Sequence, residues 1–163
     1  MAKLICSDDN QNPASRVSLE LDLGETFSGK NFENQSTKEL WRRFTVKLQR
    51  GEQELCFDTN NKVASEVKGL FCVNISPANE IEQLCENLQK FLDNENHKLF
   101  VFETIEPSFE LRIERSHQAF KAYAWVDAGN TSTIIYTWDA LGIRFMTDRN
   151  KITSFISELK DQL

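Results

Sequence analysis

The stretch from Val101 to Ser116, VFETIEPSFELRIERS, concentrates carboxylates: Glu103, Glu106, Glu110 and Glu114 lie close together along it. Two carboxylates within reach of one bond can divide general-acid and general-base work, as in glycoside hydrolysis. Yet Glu110 and Glu114 alternate with Phe109, Leu111 and Ile113. That alternation puts them on the wet side of a strand, displayed to water or to a partner. His97 and His117 stand in polar turns, with no Cys, Asp or Glu at ligand spacing. An enzymatic reading would need a carboxylate such as Glu106 to meet His117 in one cleft. The cysteines, Cys6, Cys56, Cys72 and Cys85, show no metal-type pair spacing. Cys56, Cys72 and Cys85 fall in apolar patterns and are expected as buried free thiols in a reducing cytosol, although an even number leaves disulfides open. The two glycines of LDLGETFSGK lack the spacing of a phosphate loop. No catalytic, cofactor or metal site is assigned, and the protein is read as not an enzyme.

The elements that would carry these residues are mostly strands. Val17, Leu19, Leu21 and Leu23 alternate with polar residues, and Phe44, Val46 and Leu48 repeat the pattern. RGEQ at 50–53 turns the chain, so residues 41–58 read as a hairpin. LFCVNI, Leu70 to Ile75, suits a central strand. A helix is expected over about 77–93, with Ser76 as cap, Pro77 in the first position, and Ile81, Leu84, Cys85, Leu88, Phe91 and Leu92 as its apolar stripe. Strands follow at 98–103, 108–115, 118–127 and 131–138, the last two joined at DAGN, then a short GIRFM strand. A second helix is expected over about 148–161, with Ile152, Phe155, Ile156 and Leu159 on one stripe. The fold class is therefore α+β, a mostly antiparallel curved sheet or two-layer sheet arrangement with two amphipathic helices, in a single domain over 1–163.

One face of the 118–127 strand carries Lys121, Tyr123, Trp125 and Asp127. With Asp127 paired to Asn130, Tyr123 would oppose Ile134 and Trp125 would oppose Ser132, and Tyr136 and Trp138 would extend an aromatic surface. Such a surface is either a second core layer under the N-terminal strands or a partner surface anchored by Tyr and Trp.

The net charge of −6 argues against nucleic acid or an anionic membrane as partner, since both require a basic footprint. Residues 80–116 hold nine acidic and four basic side chains, whereas 1–75 and 117–163 are nearly balanced. MAKLICSDDN has too short an apolar run for a signal peptide, and no segment approaches a membrane span, so a cytoplasmic location is expected.

From about Leu40 onward four segments carry a family resemblance: LWRRFTVKL, ANEIEQLCENLQKFLD, LFVFETIEPSFELRIE and IRFMTDRNKITSFISELKDQL. Their order resembles the WapI-type immunity-protein family of bacterial polymorphic toxin systems. FSGKNFENQSTKE and TNNKVASEVKG have no counterpart in that pattern. The resemblance implies a non-enzymatic protein that binds and blocks one cognate toxin. Many such toxins are basic nucleases, so an acidic surface of Glu82, Glu86, Glu103, Glu106, Glu110 and Glu114, with Tyr123 and Trp125 as anchors, is the expected contact with a basic toxin domain. The alternative is a small-molecule-binding module, with an apolar pocket between the sheet and the first helix.

Overall fold

The computed structural model describes residues 1–7, 16–28, 39–57, 72–105, 108–117, 119–127 and 140–163. In chain order the elements are β1 (Ala2–Ile5), β2 (Val17–Ser28), β3 (Leu40–Arg50), β4 (Gln53–Phe57), β5 (Cys72–Ser76), α1 (Glu80–Asp93), β6 (Leu99–Glu103), β7 (Phe109–Ser116), β8 (Ala119–Asp127), β9 (Ala140–Thr147) and α2 (Arg149–Lys160). The strands form two sheets, and every ladder among the described residues is antiparallel. In the first sheet β1, β2, β3 and β4 lie in order, and β5 shares the β4 edge of β3. The second sheet is β6-β7-β8-β9. The α+β class, the predominance of antiparallel pairing and both helices thus match the sequence pattern.

Period-2 alternation decides which side of each strand is buried. Leu19 and Leu21 on β2 and Phe44, Val46 and Leu48 on β3 turn to one face of the first sheet. Phe109, Leu111 and Ile113 on β7 and Phe120, Ala122, Ala124 and Val126 on β8 do the same in the second. These faces and the stripes of both helices make one buried cluster. Phe44 meets Phe109 edge-on, ring centroids 6.1 Å apart, so the first sheet packs on the Phe109 side of the second. At one corner the sheets join: Ser7 N donates to Met146 O at 2.8 Å, and Thr147 Oγ1 donates to Ile5 O at 2.9 Å. The β3–β4 turn holds Gly51 at φ 60°, a left-handed position suited to a residue without Cβ.

Helix α1 begins three residues later than Ser76 capping would place it. Ser76 still belongs to β5, the Ser76–Pro77 bond is cis, and Asn79 is the cap, its side chain accepting from Glu82 N at 3.3 Å. The far end is closed by Arg115. Its guanidinium lies between the Phe91 and Phe120 rings, 5.0 and 4.9 Å from their centroids, and donates to Phe91 O at 2.7 Å. A cation is favoured at a helix C-terminus, where carbonyls lack partners. Asp148 caps α2, accepting from Lys151 N at 3.0 Å, close to the expected start of that helix. α2 then covers the β1 edge, where Glu158 accepts from Lys3 N at 2.7 Å, and just past the helix Gln162 Oε1 accepts from Leu23 N of β2 at 2.8 Å.

Four expectations change. Strand β1, which the sequence pattern did not single out, forms the edge of the first sheet. The 70–75 run, described from Cys72 onward as β5, pairs with β3 alone among the described residues and so lies at an edge there, with α1 packed against it. Cys56 is exposed, because it stands opposite Lys47 on the polar face of the sheet, whereas Cys6, Cys72 and Cys85 are buried. Finally, β8 takes other neighbours than expected. Its two edges are taken by β7 and by β9, which places Asp127 opposite Ala140. Tyr123 therefore opposes Arg112 and Arg144, not Ile134, and Trp125 opposes Glu110 and Gly142, not Ser132. Ile134, Tyr136 and Trp138 lie outside the described residues.

Cys85 sits between the helices, with Sγ 3.9 Å from Ile156 O. Burial, opposed by Lys160 and reinforced by Glu82, raises its thiol from 9.0 to about 11. A thiol-disulfide reagent at pH 8 is expected to modify Cys56 promptly, and Cys85 only as fast as the protein opens. Because the folded value lies above the unfolded one, this thiol's contribution to stability is intact below about pH 9 and lost as pH rises toward about 11. Mass mapping of the labelled cysteines checks the first point; rapid Cys85 labelling in the folded protein would refute it.

Candidate functional site: the outer face of the second sheet

The side of the second sheet turned away from the core can be read directly from the ladder. Leu99, Glu114, Lys121 and Met146 form one cross-strand row. Val101, Arg112, Tyr123 and Arg144 form the next, and Glu103, Glu110, Trp125 and Gly142 the third. Asp127 follows opposite Ala140. The sheet's alternation thus gathers Glu103, Glu110, Glu114, Tyr123 and Trp125 on one surface. Glu82 and Glu86 are exposed on α1, which packs against the opposite side of this sheet, and Glu86 pairs with Lys90 at 3.5 Å. Glu106 lies outside the described residues.

The charges on this face are interleaved. Glu103, Glu110, Glu114 and Asp127 share the face with Arg112, Lys121 and Arg144, four acidic against three basic side chains. Arg112 approaches Glu110 at 3.2 Å, and Lys121 approaches Glu114 at 3.9 Å. The Tyr123 hydroxyl donates to Glu114 Oε2 at 3.0 Å, which fixes the ring across β7. Glu103 faces Glu110 directly across the β6–β7 ladder, a like-charge pairing that disfavours the bare surface.

Trp125 has the firmest seat. Gly142 stands opposite it, and a Cβ there would lie 2.3 Å from Trp125 Cε3 and 2.6 Å from Ala124 O. The indole occupies space that any other residue at 142 would fill, yet remains 38% exposed. This is the arrangement in which an aromatic ring covers a cross-strand glycine. The N-terminal strands do not cover Tyr123 and Trp125, because they pack on the opposite, Phe109 side. Leu99 and Val101, 52% and 48% exposed, complete an apolar margin that sequence reasoning missed. In LFVFE all neighbours of Leu99 and Val101 are apolar too, so alternation gave no clue to the outer side.

His97 and His117 are both exposed, in the turns after α1 and β7. Among the described residues no group of three or more His, Cys, Asp or Glu side chains is placed to hold a metal ion. Where the small-molecule reading puts a pocket, Phe91 of α1 meets Phe100 and Phe120, with centroids 6.0 and 5.9 Å apart. No helix among the described residues is long and apolar enough to cross a membrane.

Two antiparallel sheets with two amphipathic helices, one sheet face turned outward with Tyr, Trp and interleaved charge, make this an α+β protein. The chain belongs to the immunity protein WapI-like family, whose family model matches residues 15–163. The match includes the segment before Leu40 that the resemblance did not reach. No curated protein and no solved structure matches the chain significantly. Membership carries a protein-binding immunity role with a toxin as partner, and proteins of such a family are generally not enzymes.

Proposed function

We propose that the chain acts in the cytoplasm as one domain, binding a cognate toxin through the outer face of the second sheet and blocking it there. Tyr123 and Trp125 anchor the contact, and Glu103, Glu110 and Glu114 meet basic groups of the toxin. Glu82, Glu86 and Glu106 add to the field that draws a basic domain in. The observation that carries this reading is Trp125: a large aromatic ring, fixed over Gly142 and exposed, amid charges on a face that the core-packing elements leave open. Rigid aromatics surrounded by charge are what hot spots are made of.

The test uses a cognate toxin domain, purified as an inactive variant, as the binding probe. Changing Glu110→Lys and Glu114→Lys together is expected to slow association several-fold at low salt, with the difference shrinking as salt screens it. The unbound variant should keep its circular dichroism spectrum. An unchanged association rate at low salt rejects the acidic-surface version.

A further inference from the structure

Among the described residues, strand β6 leaves one edge of its backbone unused. Lys98 O accepts from Arg115 N at 2.9 Å, and Thr104 N donates to Phe109 O at 3.1 Å. Antiparallel bonding alternates, so Phe100 and Phe102 exchange their bonds with β7, whereas Leu99, Val101 and Glu103 turn N–H and C=O outward. Among the described residues nothing meets those outward groups. The open stretch stops where Glu80 takes Ile105 N at 2.7 Å. Proteins usually blunt such an edge with Lys, Pro or a bulge. Leu99–Glu103 has none of these.

We infer that this edge receives an extended strand of the partner, which joins the second sheet as a fifth strand beside β6 and carries a basic residue opposite Glu103 and apolar residues opposite Val101 and Leu99. The inference rests on the proposed binding role for its occupant being another protein, and the geometry supplies the chemistry. Six outward backbone groups require an extended backbone as their counterpart. Glu103 has no ion pair among the described residues and confronts Glu110. A cation on the added strand would stand about 5 Å away, by Cβ, and relieve that repulsion. The exposed side chains of Val101 and Leu99 would be covered by apolar neighbours two and four positions further along an antiparallel strand.

The probe is the peptide acetyl-Thr-Arg-Thr-Val-Thr-Val-Thr-amide, titrated into the isotope-labelled full chain, with a second peptide carrying Glu in place of Arg. Amide shifts and slowed exchange should centre on Leu99, Val101 and Glu103, and the Arg peptide should bind at least fivefold more tightly. Val101→Pro deletes an outward N–H and spares the β6–β7 bonds, so the folded variant should lose the response. Glu103→Lys, a change at an exposed side chain, should reverse the peptide preference. No shifts on β6 at millimolar peptide, or equal shifts in the Val101→Pro chain, overturns the inference. A concentration-dependent dimer that Val101→Pro abolishes also overturns it, since the occupant is then a second copy. Toxin binding that survives Val101→Pro but fails in Trp125→Ala would sink the added strand and leave the outer-face reading standing. Peptide binding at β6 with toxin binding indifferent to Trp125→Ala does the reverse.

Discussion

Replacing Glu80 by Ala is expected to destabilise the fold by about 3 kcal/mol, because it strips an acceptor from two backbone donors at once. Glu80 is 3% exposed, at the start of α1. One carboxylate oxygen accepts from Asn74 N on β5, and the other accepts from Ile105 N just beyond β6 at 2.7 Å. A single side chain thus ties the helix to an element of each sheet. Removing it leaves the buried Asn74 N–H and the partly buried Ile105 N–H without this acceptor, and an unpaired buried N–H costs roughly 1–3 kcal/mol. Glu80→Gln should lose less than Ala. It keeps one carbonyl acceptor, but turns an amide N–H₂ toward the second donor. Urea unfolding should show the Ala variant's midpoint well below the parent's with little change in slope, and a melting temperature lower by roughly 10 °C. A loss under 1 kcal/mol would show that water replaces the carboxylate without penalty.

The second large effect is on affinity. Trp125→Ala should weaken toxin binding about 100-fold, roughly 3 kcal/mol, the scale of an interface hot spot. Stability should move far less, because the ring lies outside the core cluster. Gly142→Val supplies the control. Its side chain needs the volume that the indole occupies and also crowds Ala124 O, so both Trp125 and the local β8–β9 backbone must shift, and the variant counts only if its circular dichroism spectrum is unchanged. If position and not mere presence of the ring matters, both variants lose affinity together. Retained affinity in Trp125→Ala, measured by calorimetry on folded protein, would remove Trp125 from the interface.

The helices and the strands with polar alternation could be read from sequence because burial there is one-sided. Phe109, Leu111 and Ile113 against Glu110, Arg112 and Glu114 leave a single way for the strand to face, and the structure follows it. Pairing was less legible. DAGN is good turn chemistry, but turn chemistry cannot say whether β8's second edge is already occupied, and β9, further along the chain, occupies it. The Asn79 cap was hidden behind Ser76-Pro77, which has the composition of a helix start but sits at the end of β5. Of the expected contact residues, the ladder brings Glu103, Glu110, Glu114, Tyr123 and Trp125 together. Glu82 and Glu86 were grouped with them by local charge density, which is blind to the sheet lying between. Gly142 went unremarked because a glycine in a strand declares its purpose only when its cross-strand neighbour is known.

The contacts that α2 makes with the start of the chain set an order of events during synthesis. Glu158 and Gln162 supply the acceptors for Lys3 N and Leu23 N, and Arg42 donates to Gln162 O at 2.7 Å. A ribosome exposes β1, β2 and β3 long before residues 158–162 exist. The emerging first sheet therefore has a bare margin through most of translation, a period in which holdase chaperones and neighbouring nascent chains compete for it.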